Sequence, residues 1–133
     1  MTETWKAATE QGALQAIETL LAAGADIDAP DEHGQTALMN AARDGRLAVA
    51  HLLIQRGASL DHHAKYGLTA VMLAVIRDHE DIVRLLVDAG ADLSLRASGA
   101  PGFQNRTALD LAVARGNDAI VRLLTPSPSD GSR

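Results

Sequence analysis

The side chains able to do chemistry in this sequence are its histidines, carboxylates and arginines; it has no cysteine. Disulfides and thiolate metal sites are therefore excluded. His62 and His63 follow Asp61 and come nearest to a metal-ligand cluster. Adjacent residues on an extended stretch point to opposite sides, so the two imidazoles would chelate one ion poorly. The stretch RDHEDIV, Arg77 to Val83, has the His-Glu pair of a zinc-protease helix but lacks the second His. It reads as a polar loop opening a helix. Asn105-Arg106-Thr107 matches the N-glycosylation pattern. The opening MTETWKAATEQG has neither a basic start nor an apolar run, so no secretory signal supports that match. There is no glycine-rich phosphate loop, G-x-S-x-G elbow or H-E-x-x-H. The acidic residues form no matched pair in an identifiable cleft and read as a solvated face. The expectation is a chain that is not an enzyme and holds no cofactor or metal.

The elements that would position any site follow from composition. A length of 133 residues suggests one domain. Hydrophobic residues make up 47% but aromatics only 2%. A core of Leu, Ile, Val and Ala suits closely packed helices better than a sandwich or barrel, whose strands favour aromatic and β-branched residues. No stretch approaches the roughly 18 apolar residues of a membrane span. The formal net charge of −5 argues against broad nucleic-acid binding, which needs a basic footprint.

The chain repeats. Gly-Ala pairs stand at Gly24-Ala25, Gly57-Ala58 and Gly90-Ala91, each 33 residues after the last. Leu20-Leu21, Leu53-Ile54 and Leu86-Val87 precede them at the same interval. Thr36-Ala37-Leu38 recurs as Thr69-Ala70-Val71 after 33 residues, but Thr107-Ala108-Leu109 comes 38 later. Beyond that point ALDLAVARGNDAIVRLL follows ALMNAARDGRLAVAHLL in residue type, so five residues are inserted between Ala97 and Asn105.

Each unit predicts two short helices and a loop. The Thr opens the first helix and its hydroxyl caps it. Ala8, Ala41, Ala74 and Ala112 fall five residues into that helix, where a small residue permits close helix approach. Gly12, Gly45 and Gly116 end it in a left-handed turn. Asp78 takes that place in the third unit and tolerates the conformation less well. The second helix carries one apolar stripe at i, i+3, i+4 spacing: Val49, Leu52, Leu53; Ile82, Leu85, Leu86; Ile120, Leu123, Leu124. Turns fall at Gly34 and Gly67, with Asn105 in the last unit.

These residues resemble the ankyrin repeat, a 33-residue unit with the signature T-P-L-H-x-A. The signature stands here as TALMNA, TAVMLA and TALDLA, and HEDIVRLLVDAGADL matches the second half more closely. The likeness covers residues 3 to 124. Ala37, Ala70 and Ala108 replace the family Pro; Met39, Met72 and Asp110 replace the family His, which links neighbouring loops in the family. Packing is expected to hold the loops instead. The first unit lacks the Thr, starts near Trp5 and looks like a cap. The resemblance implies an all-α ankyrin-repeat solenoid of about four helix-turn-helix units joined by hairpin-like loops, spanning residues 1–125. Residues 126–133, with Pro126, Pro128 and a serine-rich run, are expected to form a disordered tail.

In the family the concave face, built from loop tips and the exposed end of the first helix, contacts partners. Carried over by position, it comprises Glu32, Lys65 and Phe103; His33, Tyr66 and Gln104; Gln35, Leu68 and Arg106; Arg43 and Ile76; and Asp44, Arg77 and Arg115. Unlike the core positions, these do not repeat. The only Tyr and the only Phe fall among them, beside Leu68 and Ile76. Exposed aromatic and aliphatic residues in one patch mark interfaces. Charge is sorted along the face, with Glu10, Glu32 and Asp44 in the N-terminal half and Lys65, Arg77, Arg106 and Arg115 in the C-terminal half; Arg43 breaks the pattern. The stretch SGAPGFQ, Ser98 to Gln104, which holds the five inserted residues, would lengthen one loop beside the basic half.

The expected function is a cytoplasmic, monomeric protein-interaction module, an adaptor or inhibitor, for a partner with an acidic patch. It is expected to bind neither nucleic acid nor membrane. The alternatives are a small-molecule or metal binder using the His residues or the Arg cluster, and a regulatory subunit without activity of its own.

Overall fold

The computed structural model describes residues 1–98 and 104–125. Those residues form eight α-helices in four pairs: α1 Glu3–Gln11 with α2 Leu14–Ala22, α3 Ala37–Asp44 with α4 Leu47–Gln55, α5 Ala70–Ile76 with α6 Glu80–Ala89, and α7 Ala108–Arg115 with α8 Asp118–Leu124. A 3-10 turn, Lys65–Gly67, precedes α5, and no strand occurs among the described residues. First helices pack on first helices and second on second, which makes two layers. The all-helical repeat architecture is the one expected. The expected C-terminal tail lies outside the described residues.

Local chemistry sets the helix bounds. The hydroxyls of Thr36, Thr69 and Thr107 accept from the backbone N–H of Met39 at 3.3 Å, Met72 at 3.4 Å and Asp110 at 3.2 Å. Such caps are each worth about 1 kcal/mol. The Asp110 carboxylate returns a bond to the Thr107 N–H at 3.0 Å. The first unit departs from expectation: α1 is also capped by a threonine, Thr2, whose hydroxyl accepts from the Trp5 N–H at 3.2 Å. Thr2 stands one residue before the place that the 33-residue register assigns, which hides it in the sequence.

Ala41, Ala74 and Ala112 are buried, as the close approach of first helices requires. The second-helix stripes are narrower than expected. Val49, Leu53, Ile82, Leu86, Ile120 and Leu124 are buried, whereas Leu52, Leu85 and Leu123 are half-buried. Gly45 serves two demands. Its φ is 76°, and a Cβ there would lie 2.7 Å from the His79 ring. That ring reaches across from the next repeat, with Nε2 3.0 Å from the Arg43 carbonyl oxygen. Asp78 does adopt the left-handed conformation, at φ 59°.

The loops are held by more than packing, which corrects the expectation drawn from the missing His. The Asp28 carboxylate accepts from the Ser59 N–H at 2.8 Å, and the Asp61 carboxylate accepts from the Asp92 N–H at 2.8 Å. Each bond ties one inter-repeat loop to the next. Met39 and Met72, in the His positions, are buried. They fill space in the core while aspartates make the polar links.

Each loop closes on the same short ladder. The N–H of Asp31 donates to Gln35 O at 2.8 Å, that of Ala64 to Leu68 O at 2.9 Å, and that of Ala97 to Arg106 O at 2.9 Å. Gly34, Gly67 and Asn105 donate back to Asp31, Ala64 and Ala97. The fourth unit therefore keeps the same loop base, although five more residues separate Ala97 from Asn105 in sequence.

Candidate binding face

The loop tip and the end of the first helix share a surface. In the second unit Arg43 Nη1 donates to Gln35 Oε1 at 3.0 Å, joining the residue before the cap to one on the last turn of α3. Arg43 also donates through Nε and Nη2 to Asp44, at 2.9 and 3.1 Å. That guanidinium holds the Asp44 carboxyl below the ordinary value. Glu32 accepts from Lys6 Nζ at 3.0 Å, and exposed His33 lies 3.7 Å from Glu32. Lys6 also stands 4.0 Å from Glu10. The sorting of charge is thus partly undone: Glu10, Glu32 and Asp44 all have internal cations.

The third unit is built differently at the same positions. Leu68 and Ile76 replace Gln35 and Arg43, and both are half-buried against the core. Tyr66 is 43% exposed and takes φ 66°, unusual for a bulky residue. It shares the left-handed region with Gly67, so this loop tip turns through two such residues. The Lys65 ammonium sits 5.3 Å from the Tyr66 ring centroid, within cation–π range. The Tyr66 carbonyl accepts from the Ser98 N–H at 2.6 Å, which ties this tip to the next loop. Arg77 is exposed and makes no ion pair or side-chain hydrogen bond among the described residues.

In the fourth unit Arg106 is half-buried, and exposed Ala114 stands at the place of Arg43 and Ile76. Arg115 faces back to the third unit. Its Nη2 donates to Asp78 Oδ2 at 2.7 Å and its Nε to Oδ1 at 3.2 Å; Asn117 adds a bond at 3.2 Å. Gln104 is exposed. Phe103 lies outside the described residues, as does most of the inserted segment. Arg96, in the loop before, donates to Asn105 O at 2.6 Å and lies 3.9 Å from Asp110.

Sequence reasoning did not find the cross-repeat clasps, because their partners lie 26 to 39 residues apart. The sign that was available was Asp78 standing in a glycine position. It also missed an open depression of about 520 Å³ between α4 and α6, lined by Leu47, Ala48, His51, Asp81, Arg84, Leu85 and Asp88. His62 and His63 have ring centroids 6.4 Å apart. No group of three or more His, Asp or Glu side chains placed to hold a metal occurs among the described residues.

Short helix pairs stacked at a fixed period, with non-repeating residues at the loop tips and first-helix ends, define a helical-repeat protein. The chain belongs to the ankyrin-repeat family: the family model, ankyrin repeats in 3 copies, matches residues 5–97. The helices α7 and α8, beyond the matched range, complete a fourth unit of the same build. The comparison with curated proteins finds no match. Ankyrin repeats are in general protein–protein interaction modules and typically not enzymes. No helix among the described residues is long and apolar enough to cross a membrane.

Proposed function

We propose that the chain binds a protein partner on its concave face, centred on the third repeat, and acts as an adaptor or inhibitor. The supporting observation is the change of character at equivalent positions. The second repeat closes its face with the Gln35–Arg43–Asp44 network. The third offers Leu68 and Ile76, with Tyr66 43% exposed in the loop tip before the cap. A face satisfied internally gains little from a partner; an apolar one gains by being covered. Aromatic and arginine side chains dominate interface centres, and Tyr66 and Arg77 supply both.

The experiment is capture from a native lysate with three variants as bait. A discrete protein retained by the unmodified chain is expected to bind Tyr66→Ala and Arg77→Ala at least about 1 kcal/mol more weakly. Glu18→Ala, on α2, removes only an exposed ion pair with Arg56 and is expected to leave capture unchanged. Loss of capture in Glu18→Ala, with retention in the other two, places the contact on the second helices instead.

A further inference from the structure

We infer that the segment recognised by this face presents an apolar side chain next to a carboxylate, the first seated on Leu68 and Ile76 and the second meeting Arg77. The inference rests on the concave-face reading and deepens it.

Three arginines at the ends of the first helices differ in what they already bond. Arg43 spends its Nε, Nη1 and Nη2 on Asp44 and Gln35. Arg115 spends its Nε and Nη2 on Asp78, whose second partner, Asn117, fixes it further. The charge of either one is already met by an internal carboxylate, so a partner carboxylate gains less there than at an unpaired guanidinium. Arg77 lies between these two clasps in the stacked array and has no acceptor of its own among the described residues. Its charge is nevertheless felt across the repeat, since it helps to lower the Asp44 carboxyl. Asp44 is already bonded to Arg43, which leaves the Arg77 donors open. Of the basic residues expected to meet the partner's acid, Arg115 is thus engaged, while Arg77 and Arg106 have no carboxylate partner among the described residues; Arg106 is half-buried, and Arg77 is the exposed one, directly after Ile76.

The apolar half follows from the hydrogen bond in the second unit. Arg43 and Gln35 reach each other, which places their counterparts in the third unit, Ile76 and Leu68, on the same side of the repeat, each half-buried against the core. Arg77 follows Ile76 directly. The register therefore asks for adjacent apolar and acidic groups in the partner. One open guanidinium beside an apolar step suits a carboxylate. It does not make a phosphate-binding track, and the net charge of −5 works against polyanions.

The test uses a displayed library of random peptides selected on the full chain. The enriched peptides are expected to share an Asp or Glu adjacent to a large apolar residue. Selection on Arg77→Glu is expected to replace that acid with Lys or Arg, whereas Arg115→Gln keeps it. With a synthetic enriched peptide, changing its acid to the amide is expected to weaken binding at least tenfold on the unmodified chain. The same change is expected to have less than a twofold effect on Arg77→Gln. The peptide's own change needs no refolding of the protein, so a folding defect cannot imitate the result. Peptides without an acid, still lost on Leu68→Ser, overturn this inference and leave the concave-face reading standing. Peptides indifferent to both Leu68→Ser and Tyr66→Ala overturn both. A selection that enriches nothing also counts against both.

Discussion

Arg115 grips Asp78 with two donors, Nη2 to Oδ2 at 2.7 Å and Nε to Oδ1 at 3.2 Å, and so joins the last two repeats across 37 residues of sequence. A repeat array is stabilised by nearest-neighbour contacts, and this is a polar one between the side chains that end α7 and follow α5. It also explains how the third repeat manages without the glycine that ends the other first helices. Asp78 takes the left-handed turn and uses its side chain to hold the next repeat.

The clasp makes stability pH-dependent in acid. The Arg115 hydrogen bond, then that of Asn117, holds the Asp78 carboxyl down to about 2, from an ordinary 3.8. Because the folded value lies below the unfolded one, the contribution is complete above about 3.8 and fades as pH falls towards 2. Asp44, Glu32 and Asp110 are shifted the same way. Denaturant midpoints measured from pH 5 to pH 2 are expected to fall for the unmodified chain and to fall less steeply for Arg115→Gln. Parallel curves would show that the clasp contributes nothing. The pair is exposed, so the effect is small, roughly 0.2–1 kcal/mol.

Substitution at Asp78 separates strain from clasp. A left-handed residue other than glycine costs about 1 kcal/mol. Asp78→Gly removes that cost and the clasp together, so the two changes oppose and the net is expected to stay within about 1 kcal/mol. Asp78→Ala loses the clasp and keeps the strain, and is expected to be destabilised by roughly 0.2–1 kcal/mol. Equal stability of the two variants would mean that backbone strain at this turn is unimportant.

The end of the array gives a third test. Ala42 and Val75 are fully covered by the following repeat, each at 0% exposure, whereas Val113 at the same place in the fourth unit is 60% exposed. Burying a carboxylate without a partner is strongly unfavourable. Val75→Asp is expected to cost more than about 3 kcal/mol and Val113→Asp less than about 0.5 kcal/mol. Chemical denaturation of both variants checks this. A large loss in Val113→Asp would mean that something covers this end in solution.

Much of the fold was legible because the units repeat. Thr36, Thr69 and Thr107 mark helix starts wherever the period places them, and Ala41, Ala74 and Ala112 follow as the buried contact. What depends on two distant residues was not legible. The Thr2 cap lies one residue out of register, the Asp28 and Asp61 bridges replace a family histidine by a different device, and the Arg115 clasp needs the stacking itself. The candidate site divides the same way. Its positions follow from the period, but which arginines are spent internally does not. Arg43, which breaks the sorting of charge, neutralises Asp44; Arg115, in the basic half, is bound to Asp78.

The inserted segment gives the last test. Ala97 pairs with Arg106 and Asn105 as Ala64 pairs with Leu68 and Gly67, so the base of the loop is complete without the five extra residues. Ser98 is different, since its N–H donates to the Tyr66 carbonyl and its backbone N would lie 3.1 Å from a Cβ at Gly67. Removing residues 99–103 restores the 33-residue spacing and keeps Ser98. Loop length itself costs little, about 0.6 kcal/mol for each doubling. The shortened chain is therefore expected to keep its thermal midpoint to within the equivalent of about 1 kcal/mol. A deletion that also takes Ser98 leaves one residue between Ala97 and Asn105 where Ala64 and Gly67 have two, so the turn cannot close as in the third unit, and it is expected to be the less stable of the two. A loss of several kcal/mol on deleting 99–103 alone would show that the segment packs against the array, and the base ladder would then not suffice to hold the fourth repeat.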